Sequence, residues 1–552
     1  MAVLTAITTW DVAGVQHFAR RAGFGLTPAD AATLQAQAPG AAIDAWIDGT
    51  GPFHDATAFT AALATADVVT EPLVTASTTD PGAVDVPAVA GPHAFLVGTA
   101  DAWRNNLNTA QAAWAWRMQH NPHAFEERMA LFWHNLFATG WHKVNNTALM
   151  LKQIQLFRSQ GLAKFDDLLV AASKDPAMCI WLDSVLNNAS GASIPNENYA
   201  REAMELYSLG ADNGYSQTDI TQLALALSGW SFTFAEADYI ANPASPSQKT
   251  VADGHFRVYD GSSIAPDTRV WYAGTRTTLQ NMHRTGTISL FGQPFDITTT
   301  VNSWAKGENA LRSIVSIKGA NCAQFLAKRL LTHFVTTGFS TQDLTDVATM
   351  IQTSNFDLRV VMKTLLKSQY FFDPANRFAL AEGPVSWTVR AARMLCPPLA
   401  TASGTAPKGY PAWRLVTNSA NTFDQMGMRL LDPSGPNGWK EHTGWLNSNT
   451  VRYRTKAAAA LALGETRSSN GTTYPLFPTS VTTDWFPTAP ASAQAVYDRL
   501  AALLQPGPIP AGVSAAWLAA LWPSTFAWDA PSQAKARELA FLILCSPAGQ
   551  LY

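Results

Sequence analysis

The chain has 552 residues, of which 47% are hydrophobic and 14% charged, with a formal net charge of −3 at pH 7. This composition argues against intrinsic disorder, and the near-neutral charge excludes a general binder of nucleic acid or anionic membranes. The first ten residues lack the basic and apolar segments of a signal peptide, and the apolar runs are too short to span a membrane. We therefore expect a soluble chain, either cytoplasmic or a mature form from which a signal has been removed.

Helical periodicity dominates the sequence and predicts a mainly α fold with a few short strands. Three inserts rich in Pro, Gly, Ser or Thr interrupt it, at 50–100, 231–300 and 397–490. Inserts of this length commonly form functional rims, so we predict one large helical domain over residues 1–552 with several inserts on one side. The predicted helices span residues 27–48, 109–120, 123–138, 148–160, 162–174, 197–210, 219–230, 308–336, 341–352, 357–370, 381–396, 451–464, 491–505 and 531–548.

The predicted helix 197–210 carries an unusual concentration of charge. At ~100° per residue, Asn198, Arg201, Glu202 and Glu205 fall within an arc of roughly 100° beside apolar positions. An unpaired carboxylate near an apolar face is costly, so these groups need partners. They form either a structural network around Arg201 or a catalytic or metal-binding acid pair, and spacing alone leaves both open.

A second charged face lies on the predicted helix 123–138. Glu127 and His134 are seven residues apart and therefore share one face. In the functional interpretation they join Glu202 and Glu205 in one pocket between two packed helices. In the structural interpretation His134 is hydrogen-bonded in the core and Glu127 pairs with Arg128 or Arg201.

The glycine-rich loop 432–447 is a second candidate wall for a site. Trp439 and Trp445 could stack on a sugar ring, with Asn447 as a hydrogen-bonding group. Asn198 and Asp183 are further candidate substrate-binding residues. The alternative is an ordered loop that its tryptophans pin to the body, followed by a helix cap near Asn449 and Thr450.

Among reaction types, glycoside hydrolysis fits best. It uses two carboxylates about 5–9.5 Å apart, and the Cβ atoms of Glu202 and Glu205 would be ~5–6 Å apart on a helix. A partner from another segment, such as Asp183 or Asp219, would suit the usual facing arrangement better. The sequence has no Gly-x-Ser-x-Gly elbow, no phosphate-binding loop and no dinucleotide fingerprint.

The sequence predicts no obligatory transition-metal cofactor. The four cysteines are far apart, and neither Glu127 nor Glu202 has a histidine three residues later. We expect buried free thiols, although sequence alone leaves a disulfide open. Ca²⁺ or Mg²⁺ also stays open, because oxygen ligands cluster between helices, although such residues commonly serve as turns and caps; they are Asp183, Asn187, Asn188, Glu197 and Asn198.

Nearly the whole chain resembles a bacterial family known as domain of unknown function 1800. The resemblance rests on motifs in the family's order: Phe18 to Pro28, Glu127 to Ala138 with Trp-His-Asn at 133–135, Asp175 to Met178, Trp181 to Asp183, Pro195 to Glu202, Tyr215 to Asp219, Leu225 to Trp230, Ala327 to Phe334, Asn437 to Trp439, Trp445 to Asn447, and a closing Leu-Cys-Ser-Pro ending at Pro547. The chain departs from the family at three places. Leu136 stands where the family has a second histidine, and Tyr207 stands where it often has His or Phe. Near His255, a family motif that contains a lysine is missing.

The resemblance implies lineage and fold more firmly than chemistry. It also implies a companion of the family DUF1501, which is similar to sulfatases and phosphatases and is often exported. From the carboxylates and the tryptophan loop we favour a hydrolase acting on a glycan or similar polar polymer, with Glu202 or Glu205 as general acid/base and Trp439 or Trp445 as the substrate platform. The resemblance also implies that the chain and its companion could be exported as a pair. The alternative function is a non-catalytic partner or assembly subunit of that companion.

Overall fold

The computed structural model describes most of the chain. The described residues are 4–51, 107–144, 147–189, 192–233, 283–298, 304–396, 423–464 and 480–552, with short strands at 75–76, 84–85, 255–258, 269–272, 275–278, 466–469 and 472–475. Much of the three predicted inserts, 50–100, 231–300 and 397–490, lies outside the described residues. Their expected gathering on one side of the body, and the single domain, stay predictions.

The prediction of a mainly α fold is confirmed. The α-helices are Val12–Arg21, Pro28–Gln35, Pro39–Asp48, Leu107–His120, Ala124–Leu136, Trp141–Val144, Thr147–Gln160, Phe165–Lys174, Pro176–Trp181, Asn198–Glu205, Gln217–Ala226, Trp304–Ile317, Gly319–Phe334, Thr341–Thr353, Leu358–Lys367, Gln369–Phe372, Pro384–Leu395, Ser448–Ala462, Ala493–Leu504, Ala511–Leu521 and Ala530–Cys545.

Three predicted helices are each divided in the structure. The helix predicted at 357–370 breaks at Ser368, whose extended backbone separates Leu358–Lys367 from Gln369–Phe372. The helix predicted at 27–48 breaks before Pro39, which has no amide hydrogen to donate and instead begins a new helix. The helix predicted at 308–336 breaks at Lys318, whose backbone leaves the helical region before Gly319 begins the next helix. The apolar helix Ala511–Leu521 was not among the predicted helices.

The strands form two-stranded antiparallel pairs within the described residues. They are Thr75–Ala76 with Val84–Asp85, Trp230–Thr233 with His255–Val258, Arg269–Tyr272 with Thr275–Thr278, Thr287–Leu290 with Gln293–Asp296, and Thr466–Ser469 with Thr472–Pro475. In the fourth pair Thr287 lies opposite Asp296, and Ile288 and Leu290 point inward. The few short strands expected in the second insert are thus present.

Buried arginines tie distant segments of the helical body together. The side chain of Arg128 donates to the carbonyls of Arg20 and Arg21 and to the hydroxyl of Ser386. Farther along the chain, Arg390 Nε lies 2.8 Å from a carboxylate oxygen of the buried Glu382. Arg390 also donates to the carbonyl of Leu504 on another helix. Because each guanidinium binds groups from separate segments of the chain, these side chains fix how the helices meet.

Glu127 is the centre of a closed charge network. Its carboxylate is 0% exposed and accepts hydrogen bonds from Trp114 Nε1 at 3.0 Å, Arg117 Nε at 3.1 Å, Asn121 Nδ2 at 2.8 Å and Arg158 Nε at 2.9 Å. The structural interpretation named Arg128 or Arg201 as its partner, and the structure corrects this to Arg117 and Arg158. The carboxylate is fully buried and its hydrogen bonds hold the helices together, so a structural role explains these contacts, and the catalytic role of Glu127 stays a prediction.

All four cysteines are free, with Cys179, Cys322 and Cys396 buried and Cys545 half-buried. Within the part of the chain that the structure describes, no helix has the length and apolar character needed to cross a bilayer.

Replacing Glu127 by Gln should destabilise the fold strongly. The change removes the negative charge beside the buried guanidinium of Arg158 and the partly buried one of Arg117, and breaking a buried ion pair costs about 3–5 kcal/mol. Urea unfolding of Glu127→Gln measures this loss. The matched control is Glu126→Gln, which removes an adjacent carboxylate with 29% of its side chain exposed and should cost less than about 1 kcal/mol. Equal effects of the two changes would contradict the network.

Candidate functional site

A groove of about 590 Å³ runs along the C-terminal end of the helix Asn198–Glu205. The helix Gly319–Phe334 forms the opposite wall, and the loop 432–447 closes one end. The wall mixes charged, amide and apolar groups, namely Leu136, Glu205, Leu206, Leu209, Gly210, Ala211, Asn213, Gln324, Phe325, Lys328, Arg329, Leu344, Pro436 and Asn437.

The charged side chains of the helix Asn198–Glu205 point to two different places. Glu205 lines the groove, and Glu202 is half-buried one turn before it. Burial raises the pKa of Glu202, the neighbouring charge of Glu205 raises it further, and Arg201 opposes them. Arg201 itself turns toward Glu197 at 3.1 Å and Gln217 at 3.0 Å. The two glutamates therefore form an incompletely neutralised acid pair beside the groove.

His134 lies in the aromatic core, away from the charged arc. Its ring centroid is 5.6 Å from that of Trp114 and 5.2 Å from that of Trp439. Burial lowers the pKa of His134 to about 3, although the side chain of Gln153 beside it pulls the value upward. A neutral imidazole in this position does not share a pocket with Glu202.

The predicted meeting of the helices near 124–138 and 197–210 takes a different form. Phe137 packs on Tyr207 with ring centroids 5.2 Å apart, and Leu136 joins Glu205 in the groove wall. Leu136 is the position where the family often has histidine. The structure thus brings this position, and not His134, to the acid pair.

The loop 432–447 is fastened to the end of the helix Ala124–Leu136 by Asn135. The Oδ1 atom of Asn135 accepts from the backbone N–H of Trp439 at 2.7 Å, and its Nδ2 atom donates to Glu441 Oε1 at 3.0 Å. Gly438 has a φ of 75°, and a Cβ atom there would lie 2.3 Å from the carbonyl oxygen of Asn135. The close approach therefore requires glycine.

Behind this contact lies an inner cavity of about 40 Å³. Trp439 and Trp445 line it and are only 7% and 4% exposed, so they face the cavity and not an open sugar-binding surface. Asn447 caps the helix Ser448–Ala462 by accepting from the backbone N–H groups of Asn449 and Thr450, each at 3.1 Å. The remaining wall residues are Arg128, Leu131, Asn135, His333, Ala381, Gly383, Ser386, Met428, Glu441, His442 and Tyr552.

A carboxylate and two imidazoles meet at this cavity. His333 Nδ1 lies 3.6 Å from Glu441 Oε1, and Arg329 lies 4.0 Å from Glu441 Oε2. Burial would raise the pKa of Glu441, but hydrogen bonding to His333 and the charge of Arg329 hold it at about 2. Burial lowers the pKa of His333 to about 4, although Glu441 opposes this shift. His442 has a φ of 51°, a strained conformation for histidine.

Sequence reasoning did not identify this cluster. His333 stands inside the family-like stretch Ala327 to Phe334, and Glu441 inside the loop named as a site wall. Both signals were present, but they lie far apart in the chain, and nothing local indicates that they pair.

The remaining predicted ligand groups make local contacts. Asp183 pairs with Lys143 at 2.8 Å, and Asn198 Nδ2 donates to the carbonyl of Leu182 at 3.2 Å. Asn187 Nδ2 donates to the carbonyl of Ala224, and Glu197 accepts from Thr221 and Gln217. Across the described segments, no group of three or more His, Cys, Asp or Glu side chains is arranged to hold a metal ion.

Comparison with known proteins identifies the lineage. A family model described as "Protein of unknown function (DUF1800)" matches residues 17–551. The chain belongs to the DUF1800 family. No curated protein and no solved structure matches it.

For this DUF1800 protein, Gly438→Ala should loosen the loop and lower stability. The Cβ atom meets backbone oxygen at a φ reserved for glycine, and such strain costs roughly 1–3 kcal/mol. The matched control is Gly435→Ala, where a Cβ atom meets nothing within 4 Å. Thermal unfolding of both variants checks the expectation. A Gly438→Ala protein as stable as the Gly435→Ala protein would show that the loop is not held this closely.

Proposed function

We propose that the protein is a hydrolase that binds a glycan, or a similarly hydroxyl-rich polymer, in the groove beside Glu202 and Glu205. The observation that carries this proposal is the acid pair itself. One member lines a large groove and the other has a raised pKa for which the neighbouring carboxylate is partly responsible. Two neighbouring carboxylates are the groups that glycoside hydrolysis commonly uses.

The lining of the groove suits such a ligand. Leu206, Phe325 and Pro436 offer apolar surface for the faces of sugar rings, while Lys328 and Asn437 offer hydrogen-bond donors for hydroxyl groups. The volume of about 590 Å³ falls within the range of ligand-binding clefts. These features support a polar ligand with apolar faces.

The two glutamates would divide the chemistry. Glu202, whose raised pKa favours the protonated form, gives its proton to the oxygen of the leaving group. Glu205, at the groove wall, would stabilise the positive charge that develops on the sugar ring in the transition state. The raised pKa of Glu202 thus becomes functional because the charge of Glu205 lies beside it.

The proposal predicts a large loss of turnover in Glu202→Gln. Removing the general acid should lower kcat by roughly 10²–10⁴-fold, because amide groups do not donate a proton to a leaving group. Release of reducing ends from a panel of polysaccharides measures turnover, and thermal unfolding measures stability. In the wild type, activity should fall as the pH rises through the raised pKa of Glu202, since the acid must be protonated.

The control for this experiment is Glu538→Gln, an exposed carboxylate on a distant helix. It should leave both turnover and stability unchanged. Full turnover in Glu202→Gln, or a loss of turnover that only follows a lowered melting temperature, would sink the proposed role of the acid pair.

A second candidate function has one observation in its favour. The helix Ala511–Leu521 is highly apolar, yet none of its residues is buried, and Val513 is 40% exposed. Such a surface suits docking to another protein. If the chain is a partner subunit of a sulfatase-like or phosphatase-like companion, Val513→Lys should abolish copurification with that companion.

A further inference from the structure

We propose that His333 and Glu441 form a general-base dyad that binds and activates the attacking water of this hydrolysis. The inference rests on the proposed function for the reaction, but it assigns the base to residues outside the acid pair. It also gives the inner cavity a role as the binding site of that water.

The dyad is held from several sides. Asn135 Nδ2 donates to Glu441 Oε1 at 3.0 Å, and Arg329 lies 4.0 Å from the other carboxylate oxygen. His333 Nδ1 lies 3.6 Å from Glu441 Oε1, so the carboxylate favours the tautomer with hydrogen on Nδ1. That tautomer leaves the lone pair on Nε2, which is the atom that accepts a proton in general-base catalysis.

Buried nitrogens without a hydrogen-bond partner limit what the cavity can bind. Within the part of the chain described, they are both ring nitrogens of His442, together with His333 Nε2 and Trp439 Nε1. His333 Nε2 needs a donor and Trp439 Nε1 needs an acceptor, since an indole nitrogen only donates. A hydroxyl group satisfies both, and a cavity of about 40 Å³ limits the molecule to the size of water.

The cavity and the groove are neighbours. Arg329 lines the groove and contacts Glu441, while His333 lies one helical turn farther along the same helix. On the facing helix, Asn135 lines the cavity and Leu136 lines the groove. The side chains of His333 and Glu441 are 14% and 22% exposed, so the dyad is not sealed from the surface.

The resulting step balances. A proton passes from water to His333 Nε2, and the Glu441 carboxylate stabilises the imidazolium. The water oxygen bonds to the sugar carbon as the bond from that carbon to the leaving oxygen breaks. The leaving oxygen takes its proton from the carboxylic acid of Glu202, so no further reactant is needed.

Kinetics on the cleaved polysaccharide provide the first test, with His333→Gln, Glu441→Gln and the distant control His123→Gln. His333→Gln should lower kcat by roughly 10²–10⁴-fold with little change in KM. Because Glu441 raises the pKa of His333 while Arg128 and His442 lower it, Glu441→Gln should move the acid limb of the rate profile below its wild-type position near pH 4. A purely structural role would not move that limb. Unchanged kcat in His333→Gln would overturn the dyad.

A second measurement does not depend on turnover. Nitrogen-15 spectra of the full chain with labelled histidine, assigned with the His333→Gln variant, report which ring nitrogen carries hydrogen. We expect Nδ1–H in the wild type, and hydrogen on Nε2 would overturn the dyad.

If no polysaccharide is cleaved by the wild type, the proposed function fails, and the tautomer of His333 alone decides whether the dyad exists. If His333→Gln loses kcat while Glu202→Gln does not, the dyad stands and the acid assignment fails.

Discussion

The contact between Asn135 and the loop 432–447 is the constraint on which the candidate site depends. One amide side chain satisfies the backbone N–H of Trp439 and the carboxylate of Glu441 at the same time. Gly438 allows the chain to pass against the helix end at a distance that no other residue permits. These contacts form part of the wall of the inner cavity, place Glu441 beside His333, and set the loop as the end wall of the groove.

The helix Ala124–Leu136 can serve this purpose because its own position is fixed by buried charge. Glu127 and Arg128 occupy adjacent positions and face different partners: the carboxylate binds side chains of neighbouring helices, and the guanidinium binds carbonyls of the N-terminal helix. Partial satisfaction of either group would be costly in a buried setting, so the networks hold the helix in one orientation. Its last turn then presents Asn135 to the cavity and Leu136 to the groove.

Local pattern predicted the helices well because their apolar spacing and caps are local properties. It misplaced boundaries where one residue decides, as at Pro39, and it omitted Ala511–Leu521, whose apolar residues follow no single buried face. Candidate site residues were harder. Periodicity placed Glu127 and His134 on one helix face, but it did not reveal that Arg117, Arg158 and the surrounding tryptophans enclose them.

The acid pair and the loop were named from sequence because unusual composition marks them. The sequence does not reveal that His333 lies beside Glu441 of this loop, since that contact depends on how distant helices pack. Hydrogen exchange at the amide of Trp439 tests most directly whether Asn135 holds the loop 432–447 in place, with Asn135→Ala as the test variant and the exposed Asn449→Ala as the control. We expect exchange at Trp439 and along the loop 432–447 to accelerate in Asn135→Ala, while the helix Gly319–Phe334 keeps its protection. Unchanged protection of the Trp439 amide would contradict it.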